Sequence, residues 1–140
     1  MSDIYSREKR SEIMSQIGSR STKPEIRVRK LLHHMGYRFR LNRKDLPGTP
    51  DIVLPKYRKV IFVHGCFWHG HEGCRKAELP KTNREFWERK ISANREHDRV
   101  ILLQLAELRW DALVIWQCRI KDTDALQTQL RVFFAEEHSH

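Results

Sequence analysis

Hydrophobic and polar positions, read in order, divide the chain into alternating helical and extended segments. Residues 8–18 carry Ile13, Met14 and Ile17 on one side of a short predicted helix, and a polar turn follows over 19–22. Thr22-Lys23-Pro24-Glu25 fits a capping box with proline in a first turn. Val28, Leu31, Leu32 and Met35 then recur at i, i+3, i+4 and i+7, and Gly36 closes this second helix. Extended pieces are predicted over 37–41, 51–54 and 59–64, with the Leu46-Pro47-Gly48-Thr49-Pro50 turn before the second and Pro55 after it. The run 65–82 is irregular and rich in Gly, His and Cys. A long helix over about 83–108, a buried strand over 112–116 and an amphipathic helix over about 121–135 complete the pattern. The order α-α-β-β-β-α-β-α implies one mixed α/β domain, a central sheet with helices packed on it.

The long helix carries an anomaly. Trp87, Ile91, Asn94, Asp98, Ile101, Leu105 and Leu108 follow a 4-3-4-3-4-3 spacing and so share one face. Five of these are apolar, as a core-facing stripe requires, but Asn94 and Asp98 interrupt it. A carboxylate turned inward costs several kcal/mol unless it is paired, hydrogen-bonded or near a metal. An ion pair with one of the many arginines and a place in a functional site both satisfy that condition.

Composition narrows the class. With 140 residues the chain supports one core, and no repeat or composition break divides it. Charged residues make up 32% and hydrophobic ones 39%, values of a globular protein rather than a disordered or membrane-embedded one. No apolar run approaches the roughly 20 residues of a bilayer span. The opening MSDIYSREKRSE has no apolar signal core, which gives a cytoplasmic expectation. Lys and Arg outnumber Asp and Glu by 27 to 18, a net charge of +9. Such an excess suits a polyanionic partner, nucleic acid first among them; charge that serves only solubility is the plainer alternative.

Candidate chemistry clusters in two places. Pro50-Asp51 opens one predicted strand, and His64 lies late in the next. An acid and a polar residue converging at one end of a sheet can hold Mg²⁺, which neutralises a scissile phosphate and its leaving oxygen. Then comes His64-Gly65-Cys66-Phe67-Trp68-His69-Gly70-His71-Glu72-Gly73-Cys74, more ligands than one structural site needs. An odd count of three cysteines argues against a disulfide framework. Cys66, His71, Cys74 and Cys118 would give a closed, tetrahedral, structural zinc site, with His69 the alternative to His71. Phe67 and Trp68 either cap the core or wedge between base pairs, and Trp87 has the same two options.

LPGTPDIVLPKYRKVIFVHGCFWHGHEGC, TNREFWERKISANREHDR and LVIWQC together resemble the very-short-patch repair endonucleases of bacteria, over about residues 8–120. The resemblance implies a restriction-endonuclease-like α/β fold, a central mixed sheet flanked by helices, with His64 where that superfamily usually has a lysine. It implies a Mg²⁺-dependent enzyme that nicks duplex DNA 5′ of the thymine of a T·G mismatch, the product of 5-methylcytosine deamination. Asp51 would bind the metal with the Val63 carbonyl, and His69 would be the general base. Glu25, His64 and Asp98 would position waters around the metal, supported by Asn94. Cys66, His71, Cys74 and Cys118 would hold Zn²⁺. Phe67, Trp68 and Trp87 would intercalate, while an N-terminal arm over 1–20 would bring Met14 to the other groove. Mismatch-repair accessory proteins are candidate partners, and a monomer is the expected unit. Two departures from the family stand out: Val63 replaces a common threonine, and Gly70–Cys74 is one residue longer than the usual His-rich run. The rival readings are a zinc-stabilised DNA- or RNA-binding module without catalysis, and a nuclease of the same fold that cuts intact sites.

Overall fold

The computed structural model of the protein describes residues 23–135, so the predicted helix over 8–18, the arm over 1–20 with Met14, and Thr22 lie outside the described residues. The described chain begins with α1, Lys23–His34, which buries Glu25, Val28 and Leu32. Helix α1 ends as its sequence predicts: Gly36 and Tyr37 donate amide hydrogens to the carbonyls of His33 and Leu32, each at 3.0 Å.

Among the described residues four strands form one sheet in the order β1-β2-β3-β4. They are β1, Arg40–Leu41; β2, Ile52–Leu54; β3, Lys59–His64; and β4, Asp111–Trp116. The first two pairings are antiparallel and the third, β3 with β4, is parallel. Helix α2, Arg84–Glu107, lies in the connection between β3 and β4, as a parallel pairing demands. Helix α3, Thr123–Ala135, follows β4. Strand β1 is shorter than the predicted 37–41. Tyr37 and Phe39 instead pack against the core, with Tyr37 stacked on Phe134 at 3.9 Å.

The sheet divides the core in two. Ile52, Leu54, Ile61 and Ile115 share one cluster with Val28 and Leu32 of α1 and Leu126, Leu130 and Phe133 of α3. Val53, Val60 and Phe62 join Ile101 and Leu105 of α2, with Leu46 and Trp110, on the other face. A sheet covered on both faces needs apolar residues at successive positions, which is why β2 and β3 read as continuous apolar runs. The predicted face of α2 buries Ile91, Ile101 and Leu105, but Leu108 departs from it. The helix stops at Glu107, and Leu108 in the turn beyond is 49% exposed. There the Arg58 guanidinium braces the turn after the helix, donating to the carbonyls of Leu108 at 2.6 Å and Arg109 at 3.3 Å. No helix among the described residues is long and apolar enough to cross a membrane.

Lys59 opens β3 at only 2% exposure. Its ammonium bonds the Asp111 carboxylate at 3.2 Å and lies 4.5 Å from the centre of the Phe133 ring. Removing one partner of a buried pair leaves a desolvated charge, typically at about 3–5 kcal/mol. Asp111 keeps 31% of its side-chain surface in water, so some relaxation is available. Asp111→Ala is therefore expected to destabilise the protein by about 2–3 kcal/mol in urea unfolding. Lys59→Met, which removes the charge and keeps the stem, should cost less than half of that. Equal losses would show that the charge is not what matters.

Candidate active site and metal centre

The β2–β3 register sets the position of Asp51. Ile52 faces Ile61 across the pair, so Asp51, one residue earlier, lies by the last residues of β3. Its Oδ2 accepts the Val63 amide hydrogen at 2.7 Å, which fixes the carboxylate at the end of the sheet. Helix α1 brings a second acid to the same point. Glu25 is 3% exposed, bonds the Asp51 side chain, and takes a 2.5 Å ion pair from Arg29 one turn along. Burial, and then the hydrogen bond and charge of Asp51, push the Glu25 carboxyl up to about 8, with Arg29 opposing. Glu25 thus tends to keep its proton near neutral pH in the absence of a cation. Such a pair of hard oxygen donors short of positive charge suits a divalent cation.

Histidines supply the facing wall. The Asp98 carboxylate on α2 meets Nδ1 of His69 at 2.7 Å. The His69 ring lies flat against His64 of β3, with centroids 3.8 Å apart and planes at 5°. Burial, and secondarily the neighbouring His69, push His64 down to about 4, while Asp98 opposes. His64 is thereby neutral near pH 7. Asp51, Val63, His64, His69 and Asp98 line one cleft of about 640 Å³. The inward-facing Asp98 anticipated on the α2 stripe thus meets a histidine rather than an arginine. Asn94 acts one step away: its amide donates to the Trp68 carbonyl at 2.8 Å and ties the loop to α2. Gly70 lets that loop close on the helix. It sits at φ +60°, and a Cβ there would come within 2.5 Å of Ile91.

Cys66, His71, Cys74 and Cys118 gather so that their ligand atoms all lie within 4.8 Å of one another. Cys118 Sγ is 3.4 Å from His71 Nδ1, and the His71 ring stacks on Trp116 at 4.1 Å. Burial pushes the Cys66 thiol up to about 11; the Cys118 backbone opposes the rise, while the Cys118 and Cys74 side chains add to it. Three cysteines and a histidine converging without a disulfide form a donor set that fits zinc. His69, the alternative ligand, is turned to Asp98 instead.

Phe67, Trp68 and Trp87 meet edge to face, with centroids 5.2, 5.3 and 5.9 Å apart, and Trp68 is 51% exposed. Phe86 joins them, 5.1 Å from Trp87 and 53% exposed. Sequence reasoning passes over Phe86 because it lies off the apolar stripe of α2. The available signal is the Phe-Trp pair, which occurs at 67–68 and again at 86–87.

A family model described as DNA mismatch endonuclease Vsr matches residues 2–76. The Type II nicking enzyme V.XorIIP of Xanthomonas oryzae pv. oryzae is 54% identical over 131 residues, covering 94% of this chain and 96% of that protein. The DNA mismatch endonuclease Vsr of Escherichia coli K12 is 42% identical over 126 residues, covering 90% and 80%. Among solved structures, the catalytic domain of the homing endonuclease I-Bth0305I superposes with a TM-score of 0.54 at 20% identity, covering 82% of this chain and 96% of that one. The last is a likeness of fold, the endonuclease α/β fold expected from the sequence.

The Glu25 shift has a consequence for stability. A carboxyl whose folded value rises from 4.5 to about 8 contributes fully below pH 4.5, and its contribution is lost as pH rises through about 8. Without divalent cations, unfolding free energy should therefore fall between pH 5 and 9, with a slope of at most about 1.4 kcal/mol per pH unit from this group. Glu25→Gln should flatten that slope in denaturant titrations at several pH values. An unchanged slope would show that Glu25 does not hold its proton in this pH range.

Proposed function

The chain belongs to the DNA mismatch endonuclease Vsr family, and we propose that it nicks duplex DNA on the 5′ side of the thymine in a T·G mismatch. It is an endodeoxyribonuclease. What carries the reading of its chemistry is the opposition, across one cleft, of Asp51, backed by the buried Glu25, and a carboxylate-oriented histidine.

Asp51, with Glu25 beside it and the Val63 carbonyl, would hold Mg²⁺. A magnesium ion there supplies charge neutralisation for the scissile phosphate and the leaving 3′ oxygen. The chain's own groups do the rest. Asp98 holds Nδ1 of His69, so the proton of the neutral ring sits on that nitrogen and Nε2 is left to accept one. Nε2 takes the proton of the attacking water, and the imidazolium that results is stabilised by Asp98. His64 stays neutral against the ring face, adding no repelling charge as His69 becomes cationic. Phe67, Trp68 and Trp87 form a rigid aromatic edge suited to unstacking a mismatched step, where pairing is weakest. A single-strand nick needs one such site, which supports a monomer as the working unit. DNA as substrate and thiols kept reduced for metal both favour a cytoplasmic setting.

The decisive assay is strand-specific nicking of end-labelled duplexes with T·G, A·T or G·C at one position in Mg²⁺. Wild type should cut the T strand of the T·G duplex and leave the matched duplexes intact. Asp51→Ala and His69→Ala should each lower single-turnover rates by about 10²–10⁴ while retaining DNA binding. Equal cutting of matched and mismatched duplexes would overturn the specificity, and active Asp51→Ala protein would overturn the site.

The thiol cluster gives a separate expectation. Purified protein should contain one zinc per chain, and Cys118→Ser should lower both zinc content and melting temperature. Metal analysis that finds no zinc in stable protein would assign the cysteines to simple packing.

A further inference from the structure

The cleft presents a charge imbalance that the chemistry above leaves unused. Of the described residues that line it, Lys44 alone is a lysine or arginine. Arg29, near the same acids, is engaged by Glu25 and does not line the cleft. Lys44 lies between two other charged residues, Arg43 and Asp45, which satisfy each other. Arg43 donates to both Asp45 carboxylate oxygens, at 3.0 and 2.6 Å, and its guanidinium also lies 5.7 Å from the Trp110 ring. Among the described residues no carboxylate lies within ion-pair distance of Lys44.

The segment that carries Lys44 is fixed at both ends. Asn42 donates its amide hydrogen to the Asp51 carbonyl at 3.3 Å, and Thr49 closes a turn on the Leu46 carbonyl at 3.1 Å. Gly48, at φ +74°, sits so close to α2 that a Cβ would come within 2.6 Å of Ile101. The lysine backbone therefore has a set position relative to Asp51, while its long side chain keeps contact with solvent.

We propose that Lys44 is a positioning residue that binds one phosphate of the nicked DNA strand at the mouth of the cleft, adjacent to the scissile phosphate. The inference rests on the nuclease reading above. An ammonium on a four-carbon stem suits this role, because it is a point charge that can follow a phosphate without demanding a bidentate geometry. It also offsets the acidic cleft floor, which by itself repels the strand that must enter. Such a contact aligns the backbone and carries no base information.

The test measures dissociation constants for a T·G duplex, with Ca²⁺ in place of Mg²⁺, against NaCl concentration, together with single-turnover nicking in Mg²⁺. Each phosphate contact contributes about 0.9 to the slope of log K against log salt. Lys44→Gln should reduce the magnitude of that slope by about 1 and weaken binding severalfold, with the saturating rate nearly unchanged. Lys44→Arg should restore the slope. Duplexes carrying one neutral methylphosphonate at successive backbone positions should identify a single phosphate where wild type loses affinity and Lys44→Gln does not. An unchanged slope, or equal sensitivity of both proteins at every position, would overturn the proposal. Matching zinc content and melting temperature establish that the variant is folded. Wild-type protein that fails to nick the T·G duplex would instead overturn the nuclease reading itself.

Discussion

Two carboxyl groups side by side, one nearly sealed from water, create an electrostatic problem that the rest of the site answers. Glu25 comes from α1 and Asp51 from the start of β2, and neither element could bring them together by its own propensity. The apolar stripe of α1 packs on the same cluster as Ile52 and Ile61, and that packing holds Glu25 against Asp51. Hydrophobic burial on one face of the sheet thereby supports a destabilising contact at its end. A proton held on Glu25 relieves the repulsion in the metal-free protein; a cation would relieve it without the proton. This is the usual relation of a functional site to its scaffold, with local strain tolerated because surrounding contacts over-determine it.

A second constraint links the thiol cluster to the cleft. His69 stacks on His64, His64 meets Trp116 edge-on at 5.3 Å, and Trp116 stacks on His71. This run of rings joins a candidate metal ligand to the candidate base through side chains packed face to face and edge to face. The backbone joins them as well, since His69 and His71 are separated only by Gly70. The segment 65–82 has few buried apolar residues, with Cys66 the clearest case. Metal coordination at its two cysteines would therefore supply the order that a hydrophobic core cannot give it, and His69 would inherit that order.

Much of this is legible from pattern. The 3.6 periodicity locates α1, α2 and α3, each of which buries one face, and continuous apolar runs locate β2, β3 and β4, which are covered on both. Asp98 stands out for the same reason, as a charge where an apolar residue belongs. Its partner cannot be named that way, since the stripe shows direction but not what it faces. Pattern overextends strand β1 because Tyr37 and Phe39 look like strand residues, yet the Tyr37 ring packs on Tyr57 and Phe134 and Phe39 packs against the core cluster. It misplaces Leu108 because helical phase runs on past the true end, which Arg109 makes by turning left-handed at φ +65° so that its own amide and that of Trp110 reach back to the carbonyls of Ala106 and Leu105. The Glu25–Asp51 contact lies beyond any local pattern. Its capping-box context explains Glu25 well enough to hide the long-range pairing, and only the resemblance puts the two acids in one site.

Charge distribution orders these parts. The chain carries a net +9, yet its cleft holds Asp51 and Asp98, with Glu25 behind them. A basic exterior draws DNA to the surface at long range, where screening over roughly 8–10 Å leaves only nearby charges effective at the site itself. At that distance the acidic floor dominates and would hold a phosphate off. Attraction to the surface and admission to the cleft are thus separate problems. The first is solved by bulk composition, which many arginines share and no one of them determines. The second needs positive charge inside a few ångströms, from a cation on the acids, from the base as it takes up a proton, or from a side chain turned inward. A strand that enters without all its compensating charges is bound at the rim and not cut, which separates recognition of DNA from commitment to break it.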